Sequence, residues 1–180
     1  MEQQFQYYAF ISYKREDEKW AKWLQDRLRW YKLPSKLCRQ ITRLPKKVWP
    51  VFRDNTDLDS GRLEENIRHE LERSHYLIVI CSPEAARSPW VGKEVKYFAT
   101  LHGADKIIPF VVSGIPYSND IETECIHEQI KAISQEELLA INVREEGIGS
   151  FAMKKKRAFI RVVARLLAVS YTHLTLPTKA

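Results

Sequence analysis

The stretch YLIVICSP, residues 76–83, looks like the most buried strand of the chain. Apolar side chains fill nearly every position from Tyr76 to Cys81, whereas a strand with one solvated face alternates apolar and polar residues. The run is short and ends at Ser82 and Pro83, two residues typical of turns. This pattern predicts a central parallel strand that is covered by helices on both faces.

Strand-like and helix-like segments alternate on both sides of this stretch. Four further segments rich in aromatic and β-branched residues predict strands, namely YYAFISY (7–13), KVWPVF (47–52), KIIPFVV (106–112) and LLAINV (138–143). Apolar residues at helical spacing predict helices over residues 16–31, 63–71, 88–103 and 153–169, with a shorter one near 126–133. We therefore expect an α/β, flavodoxin-like three-layer sandwich with about five parallel strands flanked by helices.

Composition predicts a single domain in a reducing compartment. A chain of 180 residues that is 44% hydrophobic can bury one core, which we place in residues 1–169. We expect residues 170–180 to be a tail, disordered or foreign to the domain, and the chain to be a piece of a longer protein. Three widely spaced cysteines, the absence of a signal-peptide pattern and the absence of an apolar run of membrane-spanning length favour a cytoplasmic protein without a membrane partner.

Several uses of this architecture are excluded by missing motifs. No aspartates end the first and central strands, so the chain is not a phosphoacceptor receiver. No G-x-G-x-x-G follows the first strand, and G-x-S-x-G is absent from the whole sequence. The five histidines are scattered, so we expect no metal site and no cofactor.

Polar residues from three segments are expected to meet where the parallel strands end. They are Ser12, Tyr13, Lys14 and Arg15 after the first strand, Asp54 and the loop through Gly61 and Leu63 after the second, and Trp90 and Glu94 after the third. Trp90 and Glu94 are four residues apart and share one helix face. Taken alone, these two residues favour a solvated glutamate beside a half-buried tryptophan.

The ordered set of motifs resembles the Toll/interleukin-1 receptor (TIR) domain family in its bacterial form. The resemblance extends from Tyr7 to Val169 and rests on FISY at 10–13, Arg53-Asp54 with Gly61 closing the loop, and S-x-W-x-x-x-E at 88–94. One departure is Tyr8, where the family usually has an aspartate.

The resemblance implies an NAD+ nucleosidase that releases nicotinamide and gives ADP-ribose or its cyclic form, acting in bacterial signalling or anti-phage defence. It implies that Glu94 is catalytic, that Trp90 packs beside NAD+, and that Ser12 to Arg15, Asp54, Gly61 and Leu63 line the substrate site. It also implies activation by homotypic TIR assembly through residues 55–61. A non-catalytic TIR interaction module is the alternative. We expect no nucleic-acid partner, because the basic residues at 154–157 are more simply the solvated face and start of the last helix and have no interleaved aromatic platform in the sequence.

Overall fold

The protein folds around one five-stranded parallel sheet. The computed structural model describes residues 4–54, 61–134 and 138–175. Its strands are β1 (Tyr7–Ser12), β2 (Val51–Arg53), β3 (Ser74–Cys81), β4 (Ile107–Val111) and β5 (Ile141–Asn142), in the spatial order β2-β1-β3-β4-β5. This order confirms the predicted flavodoxin-like arrangement, in which the carboxyl ends of β1 and β3 lie beside each other at the point where the strand order reverses.

Helices cover both faces of the sheet. They are α1 (Glu18–Trp30), α2 (Ser35–Gln40), α3 (Gly61–Glu72), α4 (Pro83–Ala86), α5 (Pro89–His102), α6 (Glu128–Ile133), α7 (Phe151–Leu167) and α8 (Tyr171–Thr175). Within the described ranges, none of these helices combines the length and apolar character needed to cross a membrane.

Two apolar clusters form the core, one on each face of the sheet. Side chains alternate along β3, so that Ile78 and Ile80 join α1 and α7 in one cluster. Leu77 and Val79 point the other way and join α3 and α5 in the second cluster. We call these two sides the α1–α7 layer and the α3–α5 layer. Covering both faces explains why β3 is apolar at almost every position.

Helix α5 begins and ends where the sequence predicts. The hydroxyl of Ser88 accepts a hydrogen bond from the backbone N–H of Val91, and Pro89 occupies the first helical position. Gly103 follows the last turn with φ of 88°, a conformation that favours glycine. The helix therefore holds its buried face against β3 in a fixed register.

Three short helices were not predicted. Helix α2 follows Pro34 and buries only Leu37, and α4 is a single turn whose cap is Ser82. Helix α8 lies within the segment that we expected to be irregular, and its Leu174 packs against the α1–α7 layer. Residues 176–180 lie outside the described part of the chain.

Tyr8, which stands where the resemblance would place an aspartate, has a packing role in this fold. Its hydroxyl donates to the backbone carbonyl of Leu166 at 3.1 Å, and its ring stacks with that of Tyr76 at 6.3 Å between centroids. Tyr8 therefore joins β1 to α7 and contributes to packing.

Candidate functional site

Glu94 is the most unusual ionisable residue in the α3–α5 layer. Its carboxyl group lies on α5 with only 4% of the residue exposed, although its sequence neighbours Lys93 and Lys96 are exposed. The hydroxyl of Ser12, the last residue of β1, donates a hydrogen bond to this carboxyl across 82 residues of sequence. The first and third predicted segments therefore meet at one buried pair of side chains.

Burial controls the charge of this carboxyl. Removal from water is the main cause that raises the pKa of Glu94 to about 8, and the negative charge of nearby Asp54 acts in the same direction. The hydrogen bonds from Ser12 and Trp90 favour the anion and act in the opposite direction. Glu94 is therefore largely protonated at neutral pH in the free protein, and a nearby positive charge would favour its carboxylate.

Trp90 lies one helical turn before Glu94 and lines a cavity with it. The cavity has a volume of about 270 Å³ and lies between α3 and α5. Ile67 and Leu71 of α3 form its apolar wall, and Arg68 lies at its edge within 3.1 Å of Glu64. The predicted stripe of Trp90 and Glu94 thus faces a hollow, whereas Val91 and Val95 are buried in the core.

Tyr13 and Asp54 meet at the neighbouring strand ends. The hydroxyl of Tyr13 donates to the backbone carbonyl of Asp54, and Arg53 donates to the same hydroxyl at 3.1 Å. The side-chain oxygen of Gln25 accepts from Arg53 at 3.0 Å, which ties this corner to α1. These contacts fix the second predicted segment next to the first.

The remaining predicted residues lie in two further segments. Lys14 is partly exposed, and Arg15 is exposed in a turn of 3₁₀ helix that precedes α1. Gly61 and Leu63 lie in the first turn of α3. Residues 55–60, the rest of the predicted assembly loop, lie outside the described residues. Tyr13, Lys14, Arg15 and Asp54 do not line the cavity beside Glu94.

A second buried carboxyl lies on the other side of the same strand ends. Asp17 is 8% exposed and accepts a hydrogen bond from Ser82 at 2.5 Å. Burial raises the pKa of Asp17, and the bond from Ser82 partly offsets this. Sequence reasoning missed this pair because Asp17 sits in a run of charged residues that is typical of a solvated helix start.

Cysteines and histidines contribute little chemistry to the site. Cys81 is buried at the end of β3, and burial raises the pKa of its thiol well above the usual range, as expected for a small core residue. His127 is held by the backbone of Ser88 and Gln129. In the parts of the chain that the structure describes, no three His, Cys, Asp or Glu residues are grouped so as to hold a metal ion.

Fold and site together define a TIR domain. A family profile described as "TIR domain" matches residues 9–137, which include most of β1, all of β2 to β4, and Ser12, Trp90 and Glu94. The chain therefore belongs to the TIR domain family, as the resemblance in the sequence indicated.

Two further comparisons show what the chain is similar to. The curated protein "NAD(+) hydrolase ApTIR" from Actinoplanes sp. is 36% identical over 110 residues, which are 60% of this chain and 14% of that protein. The chain thus spans about 14% of the length of this relative. The TIR domains of the activated Roq1 resistosome, which directly recognizes the pathogen effector XopQ, have the same fold. They superpose with a TM-score of 0.57 at 14% identity, over 86% of this chain and 98% of theirs.

Proposed function

We propose that this domain is an NAD+ nucleosidase that releases nicotinamide and leaves ADP-ribose or its cyclic form. The observation that carries the proposal is Glu94, a buried carboxyl that faces a cavity beside Trp90 and is held by the hydroxyl of Ser12. The relative from Actinoplanes is named an NAD(+) hydrolase, which supports the same chemistry.

The residues present suit the bond that must break. The C–N bond between ribose and nicotinamide is cleaved, and its electron pair goes to the ring nitrogen, so that a pyridinium leaves as neutral nicotinamide. The ribose becomes an oxocarbenium-like cation, as in glycoside hydrolysis. A water oxygen, or a nitrogen of the adenine in the cyclic product, then bonds to that carbon; the water loses a proton. The leaving group needs no proton, and the reaction calls for no metal or additional cofactor.

Glu94 would act through its charge. The substrate is cationic at the pyridinium, and the transition state is cationic at the ribose, so both favour the carboxylate over the neutral acid. A preorganised carboxylate at this place would stabilise the transition state by an amount on the order of 3–4 kcal/mol. The indole of Trp90 offers a flat apolar wall that excludes water. Tyr13, Lys14, Arg15 and Asp54 are proposed to hold the rest of the dinucleotide.

The test is nicotinamide release by the purified chain and by Glu94→Gln. We expect Glu94→Gln to lower the rate by about 10²–10³-fold, since it keeps the shape and removes the charge. Glu65→Gln is the matched control, because Glu65 is exposed on α3 and the substitution removes the same charge. Equal rates for Glu94→Gln and the native chain would contradict the proposed role of Glu94.

The proposed biological setting is a cytoplasmic role in bacterial signalling or anti-phage defence, with activation by TIR–TIR assembly through residues 55–61. The described cysteines are free thiols, which supports a reducing compartment. The relative's greater length is consistent with a TIR domain that works as part of a larger protein.

A non-catalytic TIR interaction module is the second candidate function. It is favoured by the position of Tyr13, Lys14, Arg15 and Asp54, which do not line the cavity beside Glu94 and so do not form one pocket with its carboxyl. The two candidates differ in one measurement: an interaction module would release no nicotinamide at any protein concentration.

A further inference from the structure

The positive charge of the chain is concentrated on one side of the sheet. Residues 18–47 and 150–167 hold sixteen of the 29 lysines and arginines but only two of the 23 acidic residues. Helices α1 and α7, which lie within these segments, pack together in the α1–α7 layer. The chain thus combines a strongly basic side with a remainder that is net acidic, an asymmetry typical of proteins that bind a polyanion.

Four cations of α7 already have structural partners. Lys154 and Arg157 donate to the backbone carbonyls of residues 144, 146 and 148, and Arg161 forms an ion pair with Glu146. Arg165 donates to the carbonyls of residues 139 and 107. These contacts hold α7 against the loops that precede it. Lys155 and Lys156 lie instead towards α1.

One stripe of α1 alternates cations with indoles. Lys19, Trp23, Arg27 and Trp30 recur at intervals of four, four and three residues, so they lie on one helix face. The guanidinium carbon of Arg27 lies 6.0 Å from the centre of the Trp23 ring. Trp30 is 75% exposed, the most exposed tryptophan in the chain. The stripe extends for about 16 Å along the helix.

This stripe and α7 enclose a trough of about 460 Å³. Trp23 and Phe159 line it, Trp30 stands at its rim, and Lys32 and Lys156 lie at its sides. Close by, the ammonium group of Lys155 lies 4.3 Å from the centre of the Trp23 ring and 4.7 Å from that of Trp20. In sequence, the lysines of residues 154–156 have no aromatic platform; the fold supplies one from α1.

We propose that this trough binds a short stretch of single-stranded nucleic acid. A base would stack on Trp30, and the phosphates of the strand would contact Arg27, Lys32 and Lys156, while Trp23 holds Lys155 beside the trough. Alternating aromatic faces and cations suit a single strand, whose unpaired bases expose their faces while its backbone carries one negative charge per nucleotide. In a duplex the bases are stacked on each other and do not offer these faces.

The shape of the surface favours a strand over a membrane. Rings that insert into a bilayer protrude from a convex face, whereas Trp23 and Phe159 lie within a trough and Phe159 is 3% exposed. The trough and Glu94 lie on opposite faces of the sheet. A bound strand would therefore leave the cavity beside Glu94 open, and the proposal does not depend on NAD+ cleavage.

Binding is tested with the full chain and a fluorescein-labelled twelve-residue oligothymidylate, followed by fluorescence anisotropy. We expect saturable binding that weakens with salt, with a log–log slope of about −0.7 for each phosphate contacted. Trp30→Ala should weaken binding at least about fivefold through lost stacking, at unchanged salt slope. Lys156→Glu should weaken binding and also make the slope shallower.

The matched control is Lys96→Glu, which makes the same charge change at an exposed position of the α3–α5 layer. It should change the dissociation constant less than about twofold, because a charge remote from the bound strand is screened by salt. Circular dichroism spectra and melting curves of all variants show whether the fold is retained. We expect it to be retained, because the side chains of Trp30 and Lys156 are exposed.

Four results would overturn the proposal. One is an affinity of Trp30→Ala and Lys156→Glu equal to that of the native chain. A second is equal binding of the blunt duplex of the same length, which would indicate charge attraction alone. A third is displacement of the oligonucleotide by thymidine monophosphate at an equal concentration of nucleotide, which would indicate a mononucleotide site. The fourth is binding to phosphatidylserine vesicles without binding to the oligonucleotide, which would indicate a membrane surface.

Discussion

The protonation of Glu94 should govern how activity depends on pH. Its pKa in the free protein is about 8, and the proposed chemistry uses the carboxylate. We therefore expect kcat/KM for nicotinamide release to rise about tenfold per pH unit below pH 8 and to level off above it. Rates measured from pH 5.5 to 9.5 at low NAD+ check this, and a profile that is flat across this range would contradict it.

Ser12 should set the position of that profile. Its hydroxyl donates to Glu94 and lowers the carboxyl's pKa, so Ser12→Ala should move the midpoint of kcat/KM to higher pH. Ser74→Ala is the matched control, since Ser74 is also a buried strand serine but donates to the carbonyl of Glu70 at 2.7 Å. A general loss of rate at an unmoved midpoint would show that Ser12 acts only on structure.

Stability should also report the burial of Glu94. The carboxyl's pKa is about 8 in the folded protein and near the ordinary 4.5 in the unfolded chain, so the folded state holds the proton over a wider range. The free energy of unfolding should therefore fall as pH rises from 4.5 to 8, by at most about 1.4 kcal/mol per pH unit from this group. This pH dependence is absent in Glu94→Gln. Urea unfolding should therefore show that the free energy of unfolding of Glu94→Gln, relative to that of the native chain, is larger at pH 8 than at pH 5. The difference between Glu65→Gln and the native chain should be the same at both pH values.

At the level of elements, α5 and α6 approach so closely that a glycine is required between them. A Cβ at Gly92 would lie 2.5 Å from Cε1 of His127, whose ring is fixed by hydrogen bonds to Ser88 and Gln129. Gly92→Ala should therefore destabilise the fold by about 1–3 kcal/mol. Helix propensity alone would give a gain of up to about 1 kcal/mol. Urea denaturation shows whether Gly92→Ala lowers or raises the free energy of unfolding.

A second variant shows whether His127 is the cause. In a His127→Ala background the obstruction is gone, so Gly92→Ala should become neutral or stabilising. An equal loss in both backgrounds would mean that some other contact opposes the new methyl group.

Elements with strong local signals were predictable, whereas short ones were not. Residues 88–103 carry a cap, a first-turn proline, apolar spacing and a terminal glycine, and each was confirmed in α5. Helix α2 has six residues and one buried side chain, so no periodic pattern marks it. Likewise, the i, i+4 spacing predicted that Trp90 and Glu94 share one helix face. It did not predict that α3 forms the opposite wall of their cavity, because that depends on which side of the sheet each helix packs against.

Contacts between distant segments were predictable only where a topological rule supplied them. Ser12 and Glu94 meet because the carboxyl ends of adjacent parallel strands lie together, which the sequence implies once the strand order is assumed. No comparable rule joins Lys155 to Trp20 and Trp23. The rings beside Lys155 come from α1, which is more than 120 positions away in sequence, so neighbouring positions do not indicate them.

At the scale of the whole molecule, activity should depend on protein concentration. If assembly activates the domain, nicotinamide released per mole of protein should rise with concentration until assembly saturates, since association follows mass action. Rates from nanomolar to high micromolar chain, with light scattering at each concentration, check this. A constant specific activity across a range in which the measured mass increases would contradict activation by assembly.

The division of the core into two sides also distributes the chain's intrinsic fluorophores unequally. Trp20, Trp23 and Trp49 pack against the α1–α7 cluster, Trp30 stands on its outer surface, and Trp90 alone packs in the α3–α5 layer. Ultraviolet emission therefore originates mainly from the basic side, and Trp90→Phe would leave a spectrum from that side alone. An emission change that disappears in Trp90→Phe would report a ligand beside Glu94, and one that survives would report events on the far side of the sheet.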